Sequence, residues 1–139
     1  MTGPADWLPL RDVSRAEAEA RPGATVAEDV AYERVRGVDR VSTPDAHFFF
    51  DGDRLRVVYV SDASFGDVAA KPLVDELGPG EVMRSRSGKH SNLRVWPDRG
   101  LAASVDEDEE RPEFVEVFPP MSLGEYLDGI YEEPAPHLM

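Results

Sequence analysis

The chain has 139 residues, no cysteine, and 28 Asp plus Glu against 15 Lys plus Arg, which gives a formal net charge of −13. This length fits one domain with a sizeable core. The lack of cysteine excludes a disulfide framework and a thiolate metal site. The negative charge disfavours non-specific binding to nucleic acid and to anionic membranes.

The excess of acidic residues is combined with very little lysine, since only Lys71 and Lys89 accompany thirteen arginines. At ordinary ionic strength such a charge repels itself, whereas in molar salt the Debye length falls to about 3 Å and screens the repulsion. We therefore expect a halophilic protein, and the chain as a whole resembles proteins of extreme halophiles; an ordinary acidic protein is the alternative. No signal peptide or long apolar stretch is recognisable, so the expected location is the cytoplasm.

In chain order, the sequence predicts an N-terminal arm (1–24), a single domain (25–133) and a C-terminal tail (134–139). Residues 14–17 (Ser-Arg-Ala-Glu) form a capping box that is typical of a short helix. Residues 25–28 form a second one, and apolar residues then recur at helical spacing, which predicts a helix up to residue 36. A strand over residues 32–41 is the alternative, since Tyr, Val and Thr favour strands.

The rest of the domain reads as strands with two helices. Asp51-Gly52-Asp53 predicts a hairpin turn between two apolar strands. The further predicted elements are a helix at 72–77, strands at 82–87, 93–96, 101–105 and 114–118, and a helix that a capping box opens at Ser122. This order predicts the α+β class, with helices packed on one face of a largely antiparallel sheet.

Residues 68–118 contain a leucine-rich helix followed by Leu-Gly-Pro, then Leu93-Arg-Val-Trp-Pro97 and Val115-Glu-Val-Phe118. This stretch resembles the helix-plus-meander module of the outer-membrane-assembly lipoproteins of the SmpA/OmlA type. The resemblance implies a helix followed by an antiparallel meander, and a function as an interaction module without catalytic residues. A membrane role is not implied for this chain, which shows neither the family's signal peptide nor its lipidated cysteine.

One segment runs against the acidic composition: between residues 84 and 99, five Lys or Arg and one His stand against a single acid, Asp98. The candidate anion-binding residues in this basic island are Arg84, Arg86, Lys89, His90 and Arg94, because guanidinium groups bind phosphate and carboxylate in a bidentate manner. The alternative is that they pair with the chain's own carboxylates. A phosphate-binding loop at Gly88-Lys89 is excluded, since the pattern fails at Met83 and His90.

Trp96, Phe118, Met121 and Tyr126 are the candidate interaction patch, because aromatic side chains beside prolines can form a peptide-binding or dimer surface. The alternative is ordinary packing of the last helix on the sheet. No catalytic, cofactor or metal residues are predicted. Asp51 and Asp53 lack a calcium-loop pattern, no Gly-x-Ser-x-Gly motif occurs, and His47 is interpreted as a half-buried strand histidine.

Three functions follow in order of preference. The first is a non-catalytic interaction module with a protein partner or a second copy as a homodimer. The second is a binder of a small anion or metabolite that uses the basic island. The third is an enzyme of unknown class. No cofactor, nucleic acid or membrane is expected as a partner.

Overall fold

The computed structural model describes residues 7–61, 70–85, 91–106 and 112–132. Within these residues, eight strands form one antiparallel sheet in the order β1-β2-β3-β4-β8-β7-β6-β5. The strands are β1 Thr25–Tyr32, β2 Val35–Ser42, β3 Ala46–Asp51, β4 Arg54–Ser61, β5 Glu81–Arg84, β6 Ser91–Trp96, β7 Leu101–Asp106 and β8 Pro112–Val117. The helices are α1 Arg15–Glu19, α2 Ala70–Leu77 and α3 Leu123–Gly129, with short 3-10 helices at Leu8–Asp12 and Pro97–Arg99. The largely antiparallel α+β fold is therefore confirmed.

The helix predicted for residues 25–36 is wrong, because this segment is the hairpin of β1 and β2. Its valines lie on strands, and Val35, Val38 and Val41 are buried. The backbone takes positive φ angles at Asp29 (53°) and Glu33 (52°), which a helix interior does not tolerate. Local capping-box spacing was thus outweighed by the β-branched side chains and their burial.

Other local signals are confirmed. The Asp51-Gly-Asp turn joins β3 to β4, and Ser14 and Ser122 each cap a helix in a reciprocal capping box. The strand predicted to reach Ser87 ends as β5 at Arg84, and residues 86–87 lie outside the described residues. The predicted N-terminal arm contributes Trp7 and Ala18 to the buried core.

Both faces of the sheet carry buried apolar side chains. One cluster takes Ala18 of α1 and Leu73 of α2, whereas the other takes Tyr126 of α3 and Ile130 just after it. Helical segments therefore contribute to both clusters. The expectation that the helices pack on one face is not confirmed.

The sheet curls toward the face that α3 covers. The ring of Tyr32 on β1 lies 6.0 Å from the ring of Tyr59 on β4, although three strand spacings separate these strands. In a flat sheet that separation would be about 14 Å. We call this face the concave face.

One end of the concave face is closed by α3. Before the helix, the Met121 N–H donates to the carbonyl of Pro97 at 2.9 Å, next to the β6–β7 turn. After the helix, Arg34 in the β1–β2 turn donates its backbone N–H to Ile130 and its Nε to the carbonyl of Tyr131. We call this the closed end, and the opposite end, toward the β2–β3 turn, the far end. No helix in the described part of the chain is long and apolar enough to cross a bilayer.

Candidate functional site

A row of polar side chains crosses the concave face. The strand register places Ser42 opposite His47, His47 opposite Tyr59, and Tyr59 opposite Glu116. Directly paired residues of neighbouring strands point to the same face of a sheet. This polar row therefore runs across the strands from the far end to the carboxyl group of Glu116, which lies on the central strand β8 beside α3 at the closed end.

Glu116 is fully buried, and its carboxylate is held by two tyrosines. Tyr32 on β1 donates its hydroxyl to Oε2, and Tyr126 on α3 donates its hydroxyl to Oε1. A buried charge is tolerated when such hydrogen bonds replace water. Burial, followed by the charge of Glu116, raises the pKa of Tyr126 well above its usual value, so this phenol stays protonated. The network ties β1 and α3 to the central strand β8.

His47 lies at the far end and is half-buried, as the sequence predicted. Its Nδ1 is 2.8 Å from the hydroxyl oxygen of Ser42, and its ring stacks on Tyr59 with 5.8 Å between the ring centroids. Burial lowers the pKa of His47, and the positive charge of Arg40 lowers it further. The imidazole is therefore neutral at pH 7, with one nitrogen engaged by a hydroxyl group.

Arg40 stands beside this pair. It is paired with Phe49 on β3, two residues beyond His47, so it is the diagonal neighbour of the histidine on the same face. Its Nε is buried and has no hydrogen-bond acceptor among the described residues. We call Arg40, Ser42 and His47 the far-end cluster. Two groups that can carry positive charge thus face each other.

Two of the predicted anion-binding residues of the basic island, Arg84 and Arg94, lie on the face of the sheet opposite to the concave face. On this convex face, the register makes them diagonal neighbours. The Arg94 guanidinium donates to the carbonyl of Pro79 at 2.8 Å. The other three predicted anion-binding residues, Arg86, Lys89 and His90, lie outside the described residues.

The predicted interaction patch is mostly interior. Trp96 is buried on the convex face, where its indole N–H donates to the carbonyl of Gly78. Phe118 and Tyr126 are buried on the concave face with 5.0 Å between their ring centroids. These three side chains do not share a surface, and only Met121 is partly exposed. Phe118 and Tyr126 therefore show the alternative, which is ordinary packing of the last helix on the sheet, whereas Trp96 packs on the opposite face.

Met121 does reach an open groove at the closed end, with a volume of about 210 Å³. Its lining combines two arginines of β4 with apolar residues of the Pro-Pro segment and α3. The lining residues are Arg54, Leu55, Arg56, Pro119, Pro120, Met121, Glu125, Gly129 and Ile130.

Sequence reasoning missed Arg40, Ser42 and Glu116. One signal was available for Glu116, since it alternates with Phe114 and Phe118 and so stands at an inward position of an apolar strand. For the far-end cluster no local signal exists, because its members come together only through the β2–β3 register.

The described residues contain no group of three or more His, Asp or Glu side chains that could hold a metal ion. No protein-family model, curated protein sequence or solved structure matches the chain.

Proposed function

We propose that the chain is a non-catalytic protein-interaction module that works in a salt-rich cytoplasm and binds an acidic segment of a partner protein in the groove at its closed end. The observation that carries this proposal is the groove's combination of Arg54 and Arg56 with a smaller apolar part of the lining that includes Pro119, Pro120 and Met121. The resemblance of residues 68–118 to an interaction module supports the same function.

The charges in the groove favour an acidic occupant. Arg54 is exposed and has no ion-pair partner within the described ranges. Arg56 reaches a carboxylate oxygen of Asp51 only at 4.0 Å, and such exposed pairs stabilise little. Glu125 also lines the groove, but it is engaged, since its Oε1 accepts the N–H of Ser122. In a salt-rich cytoplasm the partners themselves would be acidic proteins.

A broad apolar contact surface is not favoured. The large apolar side chains exposed among the described residues are Val26, Val82 and Leu127, which lie on three different elements. The groove therefore offers a small apolar contact combined with charge, which is typical of recognition of a short segment.

The test uses the full chain in molar KCl with a synthetic peptide in which Asp and Glu alternate with Leu and Phe. A matched peptide carries Asn and Gln instead of the acids. We expect the methyl resonance of Met121 to shift with the acidic peptide alone. Arg54→Gln should weaken this binding at least tenfold, whereas Arg36→Gln, at an arginine exposed on β2, should leave it unchanged.

A Met121 resonance that does not shift when the acidic peptide is added would contradict the proposal. Sedimentation of the chain without peptide measures its oligomeric state and so tests whether the partner is a second copy. A dimer that Arg54→Gln dissociates would make the partner a second copy.

A further inference from the structure

We propose that Arg40, Ser42 and His47 form a binding site for a phosphate group, either inorganic phosphate or a phosphate monoester, at the far end of the concave face. This site is separate from the groove at the closed end, so either proposal can fail without the other.

The strand register places Arg40, Ser42 and His47 together. Ser42 and His47 are directly paired across β2 and β3, and Arg40 precedes Ser42 by two residues on the same strand face. A long side chain reaches its diagonal neighbour across two paired strands. Three different donor groups therefore converge on one patch of the sheet.

Arg40 has an unsatisfied hydrogen-bond donor among the described residues. Its Nε is buried, and neither an acceptor for that atom nor an ion-pair partner is found in the part of the chain that the structure describes. Buried charged donors in native proteins are nearly always satisfied. Glu116, which is fully buried on this face, has both oxygens satisfied, whereas Arg40, which is only partly buried, keeps an unsatisfied buried Nε.

The surroundings of His47 favour an anion. The groups that face it are Arg40 and Ser42 on β2 and Tyr59 on β4, and none of them carries a negative charge at pH 7. When His47 is protonated, its Nδ1–H donates to the hydroxyl oxygen of Ser42. The Ser42 O–H and the His47 Nε2–H are then both available to ligand oxygens.

The donor set favours phosphate over a carboxylate. Arg40 contributes the N–H groups at the end of its planar guanidinium, since its Nε is closed to solvent. His47 on β3 and Ser42 on β2 contribute one donor each. A tetrahedral anion with three acceptor oxygens can engage donors that do not share a plane, whereas a carboxylate offers two coplanar oxygens.

The experiment follows the His47 ring resonances of the full chain by NMR during titration with sodium phosphate, at ionic strength held constant with KCl. Glycerol phosphate forms a second arm and sodium acetate a third. We expect saturable shifts with phosphate, a His47 pKa that rises when phosphate is bound, and binding by acetate at least tenfold weaker. Tighter binding of glycerol phosphate than of inorganic phosphate would identify a phosphate monoester as the ligand.

Arg40→Met should abolish the saturable shift, and Arg36→Met, at an arginine exposed on β2, should retain it. Ser42→Ala serves as a second variant that keeps the charges, and it should weaken binding several-fold. A His47 resonance that does not respond to phosphate, or a response that survives Arg40→Met, would overturn the proposal.

Discussion

The two ends of the concave face differ in whether their buried charged groups have hydrogen-bond partners. At the closed end, the carboxylate of Glu116 receives a hydroxyl from Tyr32 and another from Tyr126. At the far end, the buried Nε of Arg40 has no acceptor among the described residues, and the nearby His47 adds a second basic group. A satisfied buried charge contributes to the fold, whereas an unsatisfied one costs stability and is retained where binding requires it.

The largest effect is expected from Tyr126→Phe. This change leaves Oε1 of the buried Glu116 without its donor, and a buried acceptor that loses its partner costs about 1–3 kcal/mol, more when it is charged. Urea denaturation in KCl measures the free energy of unfolding. Tyr131→Phe is the matched control, since its hydroxyl donates to the backbone carbonyl of the exposed Arg84. Equal losses in the two variants would show that the Glu116 network does not hold the closed end.

The same network predicts a loss of stability at alkaline pH. The pKa of Tyr126 is raised well above 10 in the folded chain, whereas in the unfolded chain it is about 10. Above pH 10 the unfolded chain loses the proton that the folded chain keeps, so the stabilisation falls by about 1.4 kcal/mol per pH unit. Thermal melting between pH 8 and 11 should therefore fall more steeply for the wild type than for Tyr126→Phe. Parallel curves would contradict this pKa assignment.

Local signals in the sequence predicted most of the closed end. The capping box at Ser122 and the Asp51-Gly-Asp turn are confirmed because they depend on residues that are close in the chain. The preferred helix at 25–36 was wrong, and the alternative strand at 32–41 overlaps β2, because the capping-box spacing competes with valines whose burial only the folded sheet reveals.

The far end could not be predicted in the same way. Arg40 and His47 are seven residues apart, and only the β2–β3 register makes them neighbours. The sequence also could not show that Trp96 and Phe118 are buried on opposite faces of the sheet, because both faces are apolar. A pattern of apolar residues states that a side chain is buried but not which face receives it.

A smaller effect is expected where α3 begins. The Ser122 hydroxyl accepts the N–H of Glu125, and the carboxylate of Glu125 accepts the N–H of Ser122, an arrangement that lowers the pKa of Glu125. Ser122→Ala should cost about 1 kcal/mol, and Ser122→Asp should retain most of the stability. Ser14→Ala removes the corresponding cap of α1 and should cost a similar amount. Only Ser122→Ala should also broaden the ring resonances of Tyr126, and broadening in both variants would contradict a local role for α3.

The smallest effect is expected at the far end, where Arg40→Met keeps an unbranched side chain and loses no hydrogen bond from the buried Nε. The free energy of unfolding at pH 7 should not fall and should rise slightly, by about 0.5 kcal/mol or less, because the variant removes an unsatisfied buried donor. The pKa of His47 should rise only part of the way to its usual value, because burial is the larger cause of its depression and remains.

At acid pH the wild type should lose stability as the pH falls below about 6.5, since the unfolded chain then binds a proton that the folded His47 resists. Arg40→Met should lessen this loss. Urea denaturation at pH 5 and at pH 7, together with NMR titration of His47, measures both quantities. If Arg40→Met lowered the free energy of unfolding at pH 7 as much as Tyr126→Phe, Arg40 would have a structural role in the folded chain. The charged groups at both ends would then stabilise the fold, and the far end would not be distinguished as a binding site.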